Sequence, residues 1–222
     1  MRHAPSGIHR RHFIVSSFAL CISTALQADQ KPNILVLGDS LSAEYGLARG
    51  TGWVALLEDK LHTEKIDASV TNASISGETT SGGRTRLPAL LQKHQPTVVI
   101  IELGGNDALR GLPWSGTLDN LRAMTRAAQA SGAKVLILGM QMPPNYGKKY
   151  AQDFEQLFLQ VSKEFQTALV PWFHKNIADA PLSSGLFQTD RIHPTARAQP
   201  LMLANVWPAL QDLLSASIKK PA

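Results

Sequence analysis

The stretch Asn33-Ile34-Leu35-Val36-Leu37-Gly38-Asp39-Ser40-Leu41 decides how the rest of the chain is read. Four aliphatic residues in succession, two of them not β-branched, predict a short strand buried on both faces. Gly38 permits a sharp turn where that strand ends, and Asp39 and Ser40 follow it. Ligands of open parallel α/β sheets bind in the crevice outside the carboxyl ends of the strands. A hydroxyl placed there either caps the next helix or acts as a nucleophile. The stretch alone leaves both open.

Upstream of it the chain does not read as part of a globule. Arg2, Arg10 and Arg11 precede an apolar run from Phe13 to Leu26, and Ala28 offers a small residue at a cleavage point. This pattern predicts a signal peptide over residues 1–28, with the globular domain over residues 29–222. The run is too short for a confident membrane span. Arg10-Arg11-His12-Phe13-Ile14 fits a twin-arginine export signal or simply a basic n-region. A periplasmic or secreted protein is expected, without stable membrane insertion once the signal is gone. Removing residues 1–28 discards the single cysteine, three arginines and no acid, so the net charge falls from +5 to +2. No thiol nucleophile or disulfide is then available, and the basic pI gives no support to a nucleic-acid partner.

Downstream, strand and helix patterns alternate. Residues 52–61 carry apolar positions at helical spacing, and 68–73 reads as a half-polar strand toward an edge. A helix runs through Leu87 to Leu91, where Pro88 predicts an interruption or a late start. Residues 98–103 give the strongest strand signal, ending in Gly104-Gly105-Asn106-Asp107. Helix over 118–130, strand over 135–138, helix over 154–165 and a short strand over 168–170 follow. A last helix through Leu201 and Leu214 has Pro200 in its first turn and Pro208 expected to bend it. Aliphatic strands alternating with helices predict one domain built on a parallel sheet covered on both faces.

Polar residues gather in the expected strand-end loops: Ser40, Gly77, Asn106, and Asp190-Arg191-Ile192-His193-Pro194. A serine nucleophile needs a base, a group orienting that base, and donors aimed at a developing oxyanion. Asp190 and His193 are three apart, which lets the carboxylate reach Nδ1 and leaves Nε2 free. The same spacing recurs in Asp59 and His62, but those end an amphipathic helix, where such a pair is ordinary surface. Position in a loop, not spacing, favours His193. The G-x-S-x-G elbow, Walker, G-x-G-x-x-G and H-E-x-x-H patterns are absent, and no residues have metal-ligand spacing, so no metal or other cofactor is expected.

These residues resemble the GDSL or SGNH hydrolases. Gly38-Asp39-Ser40-Leu41 is similar to that family's first block, Gly77 to its second, Gly104-Gly105-Asn106-Asp107 to its third, and Asp190-x-x-His193 to its fifth. Longer stretches, including Asn72 to Thr79 and Pro144 to Gly147, resemble the bacterial periplasmic thioesterase, protease and lysophospholipase branch. The resemblance implies a flavodoxin-like three-layer α/β/α sandwich with a five-stranded parallel sheet. It implies Ser40 as nucleophile, His193 as general base and acid, and Asp190 as its orienting residue. The oxyanion hole would be the N–H groups of Ser40 and Gly77 with the side-chain amide of Asn106. The implied substrate is a small acyl ester or thioester, with Leu109 to Trp114 and Met142 to Tyr146 as candidates for an acyl groove. Arg191 departs from the small residue of close relatives and would narrow the mouth or attract an anionic head group. Asp39 and Asp107 are expected to hold their loops by accepting backbone hydrogen bonds. A carbohydrate O-acetyl esterase and a non-catalytic flavodoxin-like binding module are the alternatives.

Overall fold

A computed structural model describes Met1 and residues 31–142, 144–181 and 184–218. The expected signal segment, with Arg10, Arg11 and Cys21, lies outside the described residues. Five strands form one sheet: β1 (Asn33–Gly38), β2 (Ser69–Asn72), β3 (Val98–Glu102), β4 (Lys134–Leu138) and β5 (Ala168–Val170). They run in the order β2-β1-β3-β4-β5, every pairing parallel. Between them lie α1 (Trp53–Thr63), α2 (Thr80–His94), a five-residue α3 (Gly105–Leu109), α4 (Trp114–Ala130) and α5 (Lys148–Phe165), and α6 (Gln199–Ile218) closes the chain.

The aliphatic runs follow from burial on both faces. Along β1, Leu35 and Leu37 join a core with α2, α4 and α5, while Ile34 and Val36 join one with α1 and α6. β3 and β4 split in the same way, so successive side chains face opposite layers and their aliphatic residues are buried. β2 is the half-exposed edge that its polar composition predicts.

Three helices begin earlier than the apolar pattern indicates. α2 starts at Thr80 because the Thr79 hydroxyl accepts the Gly82 N–H at 3.3 Å, and Pro88 is carried inside the helix. Pro88 and Arg84 both face outward, so water can take the Arg84 carbonyl that the proline leaves unpaired. α4 begins at Trp114 rather than 118, because the indole packs at 5.4 Å from the Phe154 ring. α5 begins at Lys148 rather than 154; its first turns lack apolar periodicity but carry the Lys149–Asp153 pair at 2.9 Å. Among the described residues, no helix is long and apolar enough to cross a membrane.

From β1 the chain goes to β2 on one side and returns to β3 on the other. The order reverses between β1 and β3, the place where open parallel sheets leave a crevice. Ser40 follows one of these strands and Asn106 the other.

Candidate active site

Gly38 is required by space rather than by a turn. A Cβ there would lie 2.6 Å from Glu102 Oε2 and 2.8 Å from Ser42 Oγ, and its φ is not positive. Beneath it, fully buried Glu102 accepts the Asp39 N–H at 3.2 Å and the Ser42 hydroxyl at 2.7 Å. The Trp53 indole N–H donates to the same hydroxyl at 3.1 Å. These bonds anchor the loop after β1 to the end of β3.

On top of that anchor stands Ser40. Its Oγ lies 2.8 Å from Nε2 of His193, and the His193 Nδ1 lies 2.7 Å from Asp190 Oδ2. The other oxygen of Asp190 accepts the N–H of Ile192 at 2.9 Å and of His193 at 3.0 Å. This closed turn fixes carboxylate and ring together, and Arg191 takes a left-handed φ of 59° to complete it. Partial burial works to raise the Asp190 pKa. The hydrogen bonds from the His193 backbone and ring, then from Ile192, outweigh it and hold the group down at about 2. Tyr45 lies against the histidine, ring centroids 4.3 Å apart.

The expected oxyanion donors gather on the same edge. Ile75 N–H donates to the Gly38 carbonyl at 3.0 Å, which ties the Gly77 loop to the Ser40 loop. Among the described residues, the N–H groups of Ser40 and Gly77 donate to no other group. Gly77 holds φ at 79°. Asn106 Nδ2 donates to Asp39 Oδ2 at 2.9 Å, and Leu41 N–H donates to Asp39 Oδ1 at 3.0 Å. One amide hydrogen of Asn106 is thereby fixed, and the second remains available.

Asp39 therefore does more than hold its own loop through the backbone: its second oxygen holds Asn106. Asp107 likewise binds both backbone and side chains, accepting from the Thr80 N–H at 2.9 Å and from the hydroxyls of Thr80 and Thr117. Burial pushes the Asp39 pKa up to about 6 against the lowering effect of Leu41 and Asn106. Burial, then the Asp39 charge, pushes Glu102 up as well. With its two N–H donors, Asp39 is the better placed of the pair to ionise.

Asp59 and His62 lie exposed on α1, as their surface reading expects. The acyl-groove candidates divide. Met142 and Trp114 pack into the core, while Leu109, Leu112 and Tyr146 stand exposed. Tyr150 links them, its ring 4.5 Å from Trp114 and 6.1 Å from Tyr146, its hydroxyl donating to the Ala108 carbonyl at 2.7 Å. Arg191 is exposed at the mouth, and Arg110 donates to the Gly77 carbonyl at 2.8 Å. Tyr45, Ser42, Trp53 and Glu102 escape a reading by motif. The one signal was Glu102 itself, an acid closing an otherwise aliphatic strand.

No metal-binding cluster of histidine, cysteine or carboxylate residues occurs among the described residues. Residues 36–200 match the model of the GDSL-like lipase/acylhydrolase family. The chain is 47% identical over 196 residues to esterase TesA of Pseudomonas aeruginosa, covering 87% of this chain and 96% of that protein. It is 38% identical over 198 residues to thioesterase 1/protease 1/lysophospholipase L1 of Escherichia coli, covering 89% and 92%. The crystal structure of TesA superimposes with a TM-score of 0.79 at 49% identity, over 82% of this chain and 99% of that one. The psychrotrophic esterase EstA from Pseudoalteromonas, inhibited by monoethylphosphonate, gives 0.77 at 43% identity, over 82% and 98%.

Proposed function

Since the chain belongs to the GDSL-like lipase/acylhydrolase family, we propose that it is an exported serine esterase that cleaves small acyl esters or thioesters through an acyl-enzyme on Ser40. The observation that carries this reading is the contact at 2.8 Å between Ser40 Oγ and His193 Nε2, residues 153 apart in the chain.

In this reading His193 Nε2 takes the Ser40 proton as Oγ adds to the acyl carbonyl. Asp190 keeps the ring in the tautomer with Nδ1 protonated and favours the imidazolium that forms. Its own pKa, held at about 2, keeps it ionised throughout. The oxyanion receives the Ser40 and Gly77 N–H groups and the second amide hydrogen of Asn106. Collapse breaks the bond to the alkoxide or thiolate, which leaves with the proton from His193. Water, deprotonated by the same nitrogen, then attacks the acyl-enzyme; the bond from the acyl carbon to Ser40 Oγ breaks, Oγ takes the proton back from His193, and the carboxylic acid is released.

The reading is tested with a fluorophosphonate probe and with p-nitrophenyl acetate and butyrate. Labelling at Ser40 alone, and turnover of both esters, are the expected results. A protein that is neither labelled nor active would be the non-catalytic module instead. An acyl-chain series run beside acetylated xylan distinguishes the carbohydrate O-acetyl esterase.

A further inference from the structure

Six large apolar side chains stand 38–49% exposed on the segments between each strand and the next long helix: Tyr45 after β1, Ile75 after β2, Leu109 at the end of the short α3 and Leu112 beyond it after β3, Tyr146 after β4, and Ile192 after β5. Within residues 31–218, the other exposed large apolar side chains among the described residues are Leu159 and Leu201, on the long helices α5 and α6. Scattered exposed apolar residues are ordinary, but here every strand-end loop contributes to one edge.

Contacts already described tie the six into one rim. Tyr45 lies on His193, which Ile192 immediately precedes. Ile75 is bonded through its N–H to the Gly38 carbonyl, and Arg110, between Leu109 and Leu112, is bonded to the Gly77 carbonyl. Tyr146 reaches the same edge through Tyr150 and the Ala108 carbonyl.

The charge on this edge is one-sided. The long helices α1, α2, α4, α5 and α6 all begin after strand-end loops, and none carries an acid in its first turn. Acids are favoured there by the helix dipole. Helices α1 and α2 draw theirs from the loops, Glu44 onto the Gly52 N–H and Asp107 onto the Thr80 N–H, while α4, α5 and α6 have none of their own. The acids of the loops are turned elsewhere. Asp39 and Asp107 are buried, Glu78 is paired with Arg86, Asp190 with His193, and Glu44 folds onto the Gly50 and Gly52 N–H groups. Asp179 is the exposed exception. Arg110, Lys148 and Arg191 stand exposed with no carboxylate partner among the described residues.

We propose that this rim is a docking surface for an anionic lipid layer, with the Ser40 edge laid face-on against it. Apolar side chains enter the acyl boundary while flanking cations and helix ends meet the head groups. A buried acyl chain would then pass from the layer to the catalytic serine without crossing water. The inference rests on the esterase reading for its purpose but not for its test.

The test uses the protein as the host delivers it, its amino terminus defined by mass, sedimented with phosphatidylglycerol or phosphatidylcholine vesicles. Three forms are compared: wild type, Ile75→Ser/Lys148→Gln, and Leu159→Ser as a control away from the rim. Lys148 opens α5, is exposed, and belongs to no part of the catalytic constellation. Wild type is expected to bind phosphatidylglycerol vesicles in preference, losing most of that binding at about 0.5 M salt. The double variant should bind about fivefold to tenfold more weakly, and Leu159→Ser like wild type. Turnover of soluble p-nitrophenyl acetate should stay within about twofold in all three, which also reports that each is folded. Equal binding by wild type and the double variant, equal loss in Leu159→Ser, or no binding by wild type would each overturn the proposal. Binding without any ester turnover would overturn the esterase reading and leave the docking surface standing.

Discussion

Asp39 Oδ2 accepts a hydrogen bond from Asn106 Nδ2 at 2.9 Å, so a buried carboxylate after β1 sets the rotamer of an amide after β3. The carboxylate is itself fixed by the Leu41 N–H and stands on the anchor made by Glu102 and Ser42. An amide left to rotate would present its oxygen to an oxyanion as readily as its nitrogen, and the bond to Asp39 prevents that.

Asp39→Asn removes the acceptor while keeping the shape. Its own amide must then either face the Asn106 amide, donor to donor, or release Leu41. Asn106→Ala is expected to lower kcat by about 10²–10³ and Asp39→Asn by about 10–10², with KM little changed. Because both act on one group, the double variant should fall no more than about threefold below Asn106→Ala. Additive losses would mean that Asp39 acts by another route.

Ser40→Ala removes the proposed nucleophile without disturbing the packing below it. Turnover of p-nitrophenyl acetate should fall by about 10⁴–10⁶ in kcat, with the thermal midpoint close to wild type. Wild-type-like turnover would end the acyl-enzyme reading.

Gly38→Ala places a methyl group 2.6 Å from Glu102 Oε2 and 2.9 Å from Ser42 Cβ, in a region with no slack. Overpacking of this kind costs about 1–3 kcal/mol, read as a lower urea midpoint. Displacing Ser42 also tilts the loop that carries Ser40, so kcat should fall together with stability. An unchanged midpoint would show that the anchor can give way without cost.

His174 sets a pH dependence away from the site. Burial pushes its pKa from 6.5 down to about 4, and its Nε2 has no hydrogen-bond partner among the described residues. Between those two values the unfolded chain binds a proton that the folded ring refuses. The stability present above pH 6.5 is therefore lost as pH falls toward 4. His174→Leu should be insensitive to that proton. The gap in urea midpoint between variant and wild type should move in favour of the variant by on the order of 1–3 kcal/mol across that window. A gap constant with pH would remove His174 as the cause.

The strands were legible because a residue buried on both faces must be aliphatic whatever lies beside it. Ile34 to Leu37, Val98 to Ile101 and Val135 to Leu138 therefore declare themselves one segment at a time. The turn of Asp190 and His193 was legible for a similar reason, since three residues of separation leave few conformations. Helix starts at Thr80, Trp114 and Lys148 were not, because a cap, an aromatic contact across the layer and an exposed ion pair leave no apolar period.

By itself the sequence determined which segments pair into a sheet and which loops carry polar groups. Only the tertiary structure decided which of those groups touch. Ser40 meets His193 across 153 residues, Asp39 meets Asn106 across 67, and Ser42 meets Glu102 across 60. Spacing along a chain reports local geometry, whereas contacts over such separations depend on the strand order that sets β1 beside β3 and on the buried packing that holds them there.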